Sequence, residues 1–260
     1  MEGDPHQGPR SRSVDTAFID GVYNYCDGWC ERCQFQVRCR VYQDLSIMRM
    51  ARDAGLESDA TDRLFDDGLE DEPEQRPLSA SERLDLDTAI EAAHQRVPEA
   101  EMARILAACD RRHARQSAHP IARSAHEYAS ITHGVLDALR PLLDEAGDAL
   151  LLAGLDTIDR FAPLIAVKSH RAVGALIFDD DDEDLADDQE FKASDGNGCA
   201  KLVRLVIAES REAWHLLMQV GAASADGVPA AMVRRLDALD AALETGFPRA
   251  MDFVRAGFDE

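Results

Sequence analysis

The stretch YCDGWCERCQFQVRC holds Cys26, Cys30, Cys33 and Cys39, four thiols within fourteen residues. The spacing C-x3-C-x2-C-x5-C brings four soft ligands within reach of one point, the donor set taken by tetrahedral Zn²⁺ or by an iron–sulfur cluster. The opening residues MEGDPHQGPRSRSVDT are polar and lack the apolar core of an export signal. The expected location is therefore the cytoplasm, where thiols stay reduced and a tight cysteine cluster reads as a metal site rather than as two disulfides. Many zinc modules set two close pairs on separate turns. The nearly contiguous run here is closer to the compact ligand runs of small cluster-binding segments. A [4Fe–4S] cluster is the leading expectation, zinc the alternative, with disulfides or unliganded thiols the remainder.

Something must aim these thiols. Ala17, Phe18, Val22 and Tyr25 recur at helical steps from about Asp15, and Cys26, Cys30 and Cys33 continue them at i, i+4 and i+7. On one continuous helix the three would share a face and could not surround an ion. The helix is therefore expected to end near Cys30 to Cys33, or the thiols to meet a cluster from one side, with Cys39 returning from the next turn or short helix. Tyr23, Tyr25, Trp29, Phe35 and Tyr42 stand close enough in sequence to shield such a site from water. Cys109 and Cys199 are isolated and read as small buried apolar residues.

The rest of the chain reads as helices, so the expected fold class is all-α. The division is a disordered lead-in over 1–13, a four-cysteine metal-binding segment over 14–54, an acidic linker over 55–80 with Pro73 and Pro77, and a helical bundle over 81–260. Ser79 or Ser81 can cap a helix to about Arg96, and Pro98 opens another to about Gln116. Four long antiparallel helices are expected at about 120–146, 148–176, 198–222 and 229–256. The first should bury Ile121, Ala125, Tyr128, Ile131, Val135, Leu139 and Leu142; the third carries Leu202, Leu205, Val206, Trp214, Leu217 and Met218. Between the second and third lie the acidic run FDDDDEDLADDQEF and then DGNG, read as a loop. Pro141 and Pro163 fall inside helical patterns and should bend or break them, the second near Asp159, Lys168 and His170, where a cavity could open.

A second metal set is weaker. Di-iron carboxylate bundles use Glu-x-x-His on two helices, and the chain contains Glu91-Ala-Ala-His94 and Glu212-Ala-Trp-His215. Glu212 and His215 share a face at i and i+3, with Glu127, His126, His133, Asp159, His170 and Glu209 as further ligands to consider; solvated helix faces are the simpler reading. The acidic run Asp179 to Asp184 lacks the ordered pattern of a calcium loop. The net charge of -22, with lysine only at 168, 192 and 201, disfavours nucleic acid and anionic lipid and leaves room for a basic protein partner. No apolar run is long enough to span a membrane. Whether any catalysis occurs is open.

The segment YCDGWCERCQFQVRCRVY resembles one found in an uncharacterised family of bacterial proteins, where Tyr-Cys-Asp-x-Trp-Cys-Glu-Arg-Cys precedes a long helical region. Lys168-Ser-His-Arg-Ala and Asp195-Gly-Asn-Gly-Cys-Ala-Lys look similar more loosely. The resemblance implies a cysteine site joined to a helical bundle, and no activity. The first three cysteines also match the cluster spacing of radical S-adenosylmethionine enzymes. Those enzymes need strand–helix units and leave one iron open, where this chain offers helices and a fourth thiol.

Overall fold

The computed structural model describes residues 17–55, Arg83, Thr88, 98–177, 186–219 and 227–259. The lead-in, the linker beyond Gly55, Glu91, His94 and the run Asp179 to Asp184 lie outside the described residues. The described chain is all-α, without a strand: α1 (Arg40–Asp53), α2 (Glu99–Ala118), α3 (Pro120–Ala146), α4 (Ala149–Gly174), α5 (Ala186–Gln219) and α6 (Val228–Gly246), with 3-10 turns at Cys30–Arg32, Gln36–Arg38 and Ala250–Asp252.

Local chemistry sets the helix ends. Pro120 opens α3, where its missing N–H costs nothing, and the His119 side chain accepts from the Ile121 amide at 3.3 Å. Asp148 caps α4, its carboxylate accepting from the amides of Leu150 and Leu151 at 3.0 and 3.2 Å. The helix expected to reach residue 256 stops at Gly246, because Pro248 biases Phe247 away from the helical region; the 3-10 turn follows. The helices α3 and α4 run unbroken through Pro141 and Pro163. Both prolines are exposed, and their buried neighbours Leu139, Leu143, Ala162 and Ile165 hold the helices in register against the core, outweighing one lost backbone hydrogen bond.

The core is lined by Ile121, Ala125, Tyr128, Leu136, Leu139 and Leu143 of α3, Leu155, Ile158, Phe161 and Ile165 of α4, Leu202, Val206, Trp214 and Leu217 of α5, and Met232, Leu236, Leu239 and Leu243 of α6. The expected face of α3 is corrected toward its C-terminus. Leu136 and Leu143 turn inward, while Ile131 and Leu142 are 38% and 63% exposed. Within this core Trp214 Nε1 donates to the Tyr128 hydroxyl at 3.1 Å, with the hydroxyls of Thr132 and Ser210 buried beside it.

From α3 onward each helix packs on the one before it, and α6 also meets α3. Ion pairs give the directions. Arg140, late in α3, binds Asp156 and Asp159 of α4 at 2.9 and 3.1 Å. Arg171, late in α4, binds Asp195, early in α5, at 2.8 Å. Along α5, Arg204 pairs with Asp240 of α6 at 2.8 Å and the later Arg211 with the earlier Asp237 at 2.8 Å. Asp240 also takes Arg211 Nη2 at 3.2 Å, and its side chain is 20% exposed. Removing it strips a charge-assisted partner from two partly buried guanidinium groups. Asp240→Ala should therefore lower stability by about 1–3 kcal/mol, read as a lower urea midpoint at unchanged slope.

Candidate metal centre

The cysteine segment is built from turns. The helix expected from about Asp15 is absent among the described residues; residues 20–25 form turns. Gly21 and Gly28 take φ of 72° and 69°, a left-handed backbone that interrupts any helix through the first cysteines. Past Cys26, the Asp27 carboxylate accepts from the Trp29 amide at 2.9 Å. Cys30 starts a 3-10 turn closed by the Cys33 amide on the Cys30 carbonyl at 3.1 Å. The Phe35 amide lies 3.4 Å from Cys33 Sγ, and the Gln36 side chain donates to the Cys30 carbonyl. A second 3-10 turn brings Cys39 back at the N-cap of α1.

These turns place Cys26, Cys30, Cys33 and Cys39 around a single pocket, together with Val22, Tyr23, Trp29, Phe35, Gln36, Tyr42 and Phe258. All four thiols are free and half-buried. The hollow is tight, about 20 Å³. Among the described residues no three Cys, His, Asp or Glu side chains converge closely enough to hold one ion. Burial pushes the Cys26 thiol above its ordinary range, partly offset by a backbone hydrogen bond at Gly28, with Asp27, Cys39 and Cys33 adding to the rise. Burial likewise raises Cys30, followed by Cys26, Glu31, Cys39 and Cys33. At Cys26 and Cys30 the neighbouring thiols thus add to the cost of the charged form, the setting in which a cation stabilises thiolates.

Contacts with α4 and α5 fix the segment. Lys168 Nζ donates to the Asn24 carbonyl at 2.7 Å. The Tyr25 hydroxyl donates to Asp195 Oδ1 at 2.9 Å, and Arg171 binds the same carboxylate at 2.9 and 2.8 Å. The Tyr25 ring lies against Gly198 and packs edge-on to Phe253 at 4.7 Å. Trp29 meets Phe161 at 5.8 Å, and Arg32 stacks over Trp29 at 4.0 Å while binding Asp27 and Glu209. Arg160 pairs with Glu31 at 2.9 Å. The stretches around Lys168 and Asp195, noted with the cysteine motif as similar to one family, therefore meet that motif in space.

Four of the expected aromatic shields, Tyr23, Trp29, Phe35 and Tyr42, line the pocket, whereas Tyr25 anchors the segment instead. Phe258 was not anticipated. It packs edge-on to Phe35 at 5.0 Å and sits beyond a tail tied down by Lys201, which donates to the Phe253 carbonyl at 2.7 Å and pairs with Asp259 at 2.7 Å. No local pattern marks it, because its role depends on that fastening. Arg255, with Lys201, holds the Asp259 carboxyl well below the usual carboxylate range.

The remaining candidates are dispersed. Cys199 is buried as expected, its thiol pushed up to about 11 chiefly by burial. Cys109 is exposed, contrary to expectation, on α2, which buries no residue. Glu212 and His215 both face solvent, because Ala213, Trp214 and Leu217 take the core side of α5. Glu127 lies 3.9 Å from Arg235, Glu209 pairs with Arg32, and Asp159 with Arg140. A cavity near Pro163 does occur, lined by Trp29, Asp156, Asp159, Arg160 and Pro163, while Lys168 and His170 point elsewhere. No helix among the described residues is long and apolar enough to cross a membrane.

Comparison with protein-family profiles, with curated proteins and with solved structures returns no match.

Proposed function

We propose that Cys26, Cys30, Cys33 and Cys39 together hold a [4Fe–4S] cluster, and that the chain is a redox or regulatory metalloprotein rather than a classical catalyst. In this reading the cysteine module is carried on a bundle of four long antiparallel helices in the reducing cytoplasm. A basic protein is the partner that its acidic surface favours, with neither nucleic acid nor membrane.

One observation supports the reading: four free thiols rim one pocket. Tetrahedral zinc with bonds of about 2.3 Å needs its sulfurs within about 4 Å of each other. A cluster takes one thiolate at each of four irons, so its ligands stand further apart around a shared body. The hollow must widen to admit it. The segment can yield, because turns and edge contacts rather than a core hold it. The ring of Tyr23, Trp29, Phe35, Tyr42 and Phe258 would limit water at the cluster, a property that tunes reduction potential.

Anaerobic purification tests this. The protein should be brown, absorb near about 400 nm and carry about four irons and four sulfides per chain. Cys30→Ala should lose them while keeping the helical circular-dichroism signal. A colourless protein with about one zinc per chain, or unchanged iron in Cys30→Ala, would overturn the cluster.

A further inference from the structure

A second pocket lies where α2, α3 and α4 meet. Its volume is about 440 Å³, and its lining is His113 and Ser117 from α2, Ala122, Arg123 and His126 from α3, and Ala166, Val167 and His170 from α4. The His113 and His170 rings face each other at 5.2 Å between centroids, and Ser117 Oγ stands 3.5 Å from His170 Nε2.

The composition of this lining is the informative feature. The chain carries 50 acidic side chains against 28 Lys and Arg, yet among the described residues no acidic one lines this pocket. Its polar groups are one guanidinium, three imidazoles and a hydroxyl, all able to donate. At physiological salt, charges beyond about 8 Å are largely screened, so the local groups rather than the net charge set the potential here. No ion pair engages the Arg123 side chain among the described residues, whereas Arg140, Arg160, Arg171, Arg204 and Arg211 all hold carboxylates. A metal fits less well. Arg123 would repel it, and no three ligating side chains converge.

We propose that this pocket binds a tetrahedral oxyanion, the phosphoryl group of a small phosphorylated molecule, held by Arg123 with His113, His126 and His170. Arg123 supplies the planar fork that suits phosphoryl oxygens. The imidazoles supply further hydrogen-bond donors. Among the described residues, the charged or titratable groups that line the pocket with His170 are His113 from α2 and Arg123 and His126 from α3. Burial and then His113 hold His170 below the ordinary histidine range. A bound anion reverses that, so protonation and binding strengthen each other.

Inorganic phosphate and sulfate are the probes, titrated into the full-length protein by calorimetry, with histidine resonances followed by NMR. Sulfate keeps its charge from pH 5 to 9, so its pH profile reports the protein alone. Sulfate should bind at one site per chain and weaken at least about tenfold between pH 5.5 and 8 as His170 loses charge. The His170 resonance should titrate at higher pH in its presence. Arg123→Gln, on an exposed position of α3 where folding is not at stake, should weaken both probes at least about tenfold. Acetate at equal concentration should not compete. Unchanged binding in Arg123→Gln, no perturbation of the three histidines, effective competition by acetate, or a site that takes Zn²⁺ but neither oxyanion would each overturn the assignment.

Discussion

With the proposed cluster bound, stripping it under reducing conditions should release residues 17–39 while α3 to α6 stay folded. The reason is how little apolar surface this segment buries. Between residues 17 and 55 only Val22 and Ala51 are buried, and the first α-helix begins at Arg40. The ties to the core are mostly polar and partly solvated: Tyr25 on Asp195, Lys168 on the Asn24 carbonyl, Arg32 on Glu209, Arg160 on Glu31. Exposed pairs contribute about 0–1 kcal/mol each, against about 1–2 kcal/mol of backbone entropy for every residue ordered. In the proposed reading metal–thiolate bonding would be the large compensating term, which is about 10–16 kcal/mol for structural zinc in small peptides. On metal removal, hydrogen exchange at the amides of Ile19, Cys33 and Arg38, all bonded to backbone carbonyls here, should accelerate at least about a hundredfold. Far-UV circular dichroism should change little. Persistent protection of those amides would mean that the polar ties suffice.

The same thiols give the pH dependence a sign. Without metal, Cys26 and Cys30 hold their protons to higher pH than ordinary thiols. A raised folded value stabilises the metal-free segment below the unfolded thiol range and stops doing so as pH climbs through the raised one. Metal binding must expel these protons, so loading should tighten with pH across the same window. The metal-free segment thus loosens on the alkaline side, where the loaded one is firmest.

The helical scaffold was legible where local chemistry and long-range packing agree. Pro120 and the apolar spacing that follows define α3, and its observed span, Pro120–Ala146, is the expected one. They disagree at Asp195-Gly196-Asn197-Gly198. Read locally this is a turn; in the fold it lies within α5. A Cβ on Gly196 would stand 2.5 Å from Ala175 Cβ, so its glycine answers to a neighbouring helix. In the cysteine segment the error ran the other way. A spacing of four and three suggested a helix, but Gly21 and Gly28 break it, and the thiols reach one pocket through turns. Glu212 and His215 show the limit of a pattern at i and i+3. It fixes a shared face but not which face, and Trp214 between them claims the core.

Gly198→Ala should loosen the proposed metal site without weakening the helix that carries the mutation. A Cβ at this position would lie 2.5 and 2.8 Å from the Tyr25 ring and 2.9 Å from Phe253, closer than carbon atoms tolerate. Within α5 itself alanine is the better residue by about 1 kcal/mol. Overpacking at the contact costs about 1–3 kcal/mol. The rings can escape only by moving Tyr25 outward, one residue before Cys26, which also breaks the bond from its hydroxyl to Asp195. The cost therefore falls on the docking of the segment. Metal release to a chelator should speed up at least about tenfold, the factor that 1.4 kcal/mol represents, while thermal unfolding of the helices shifts little. Tyr25→Phe separates the two causes, since it keeps the ring on Gly198 and removes only the hydroxyl; it should accelerate release less than Gly198→Ala does. Were release in Gly198→Ala as slow as in the parent protein, Tyr25 would not be the tie between metal and scaffold. The contact of Trp29 with Phe161, braced by Arg32 and Arg160, would then have to carry that role.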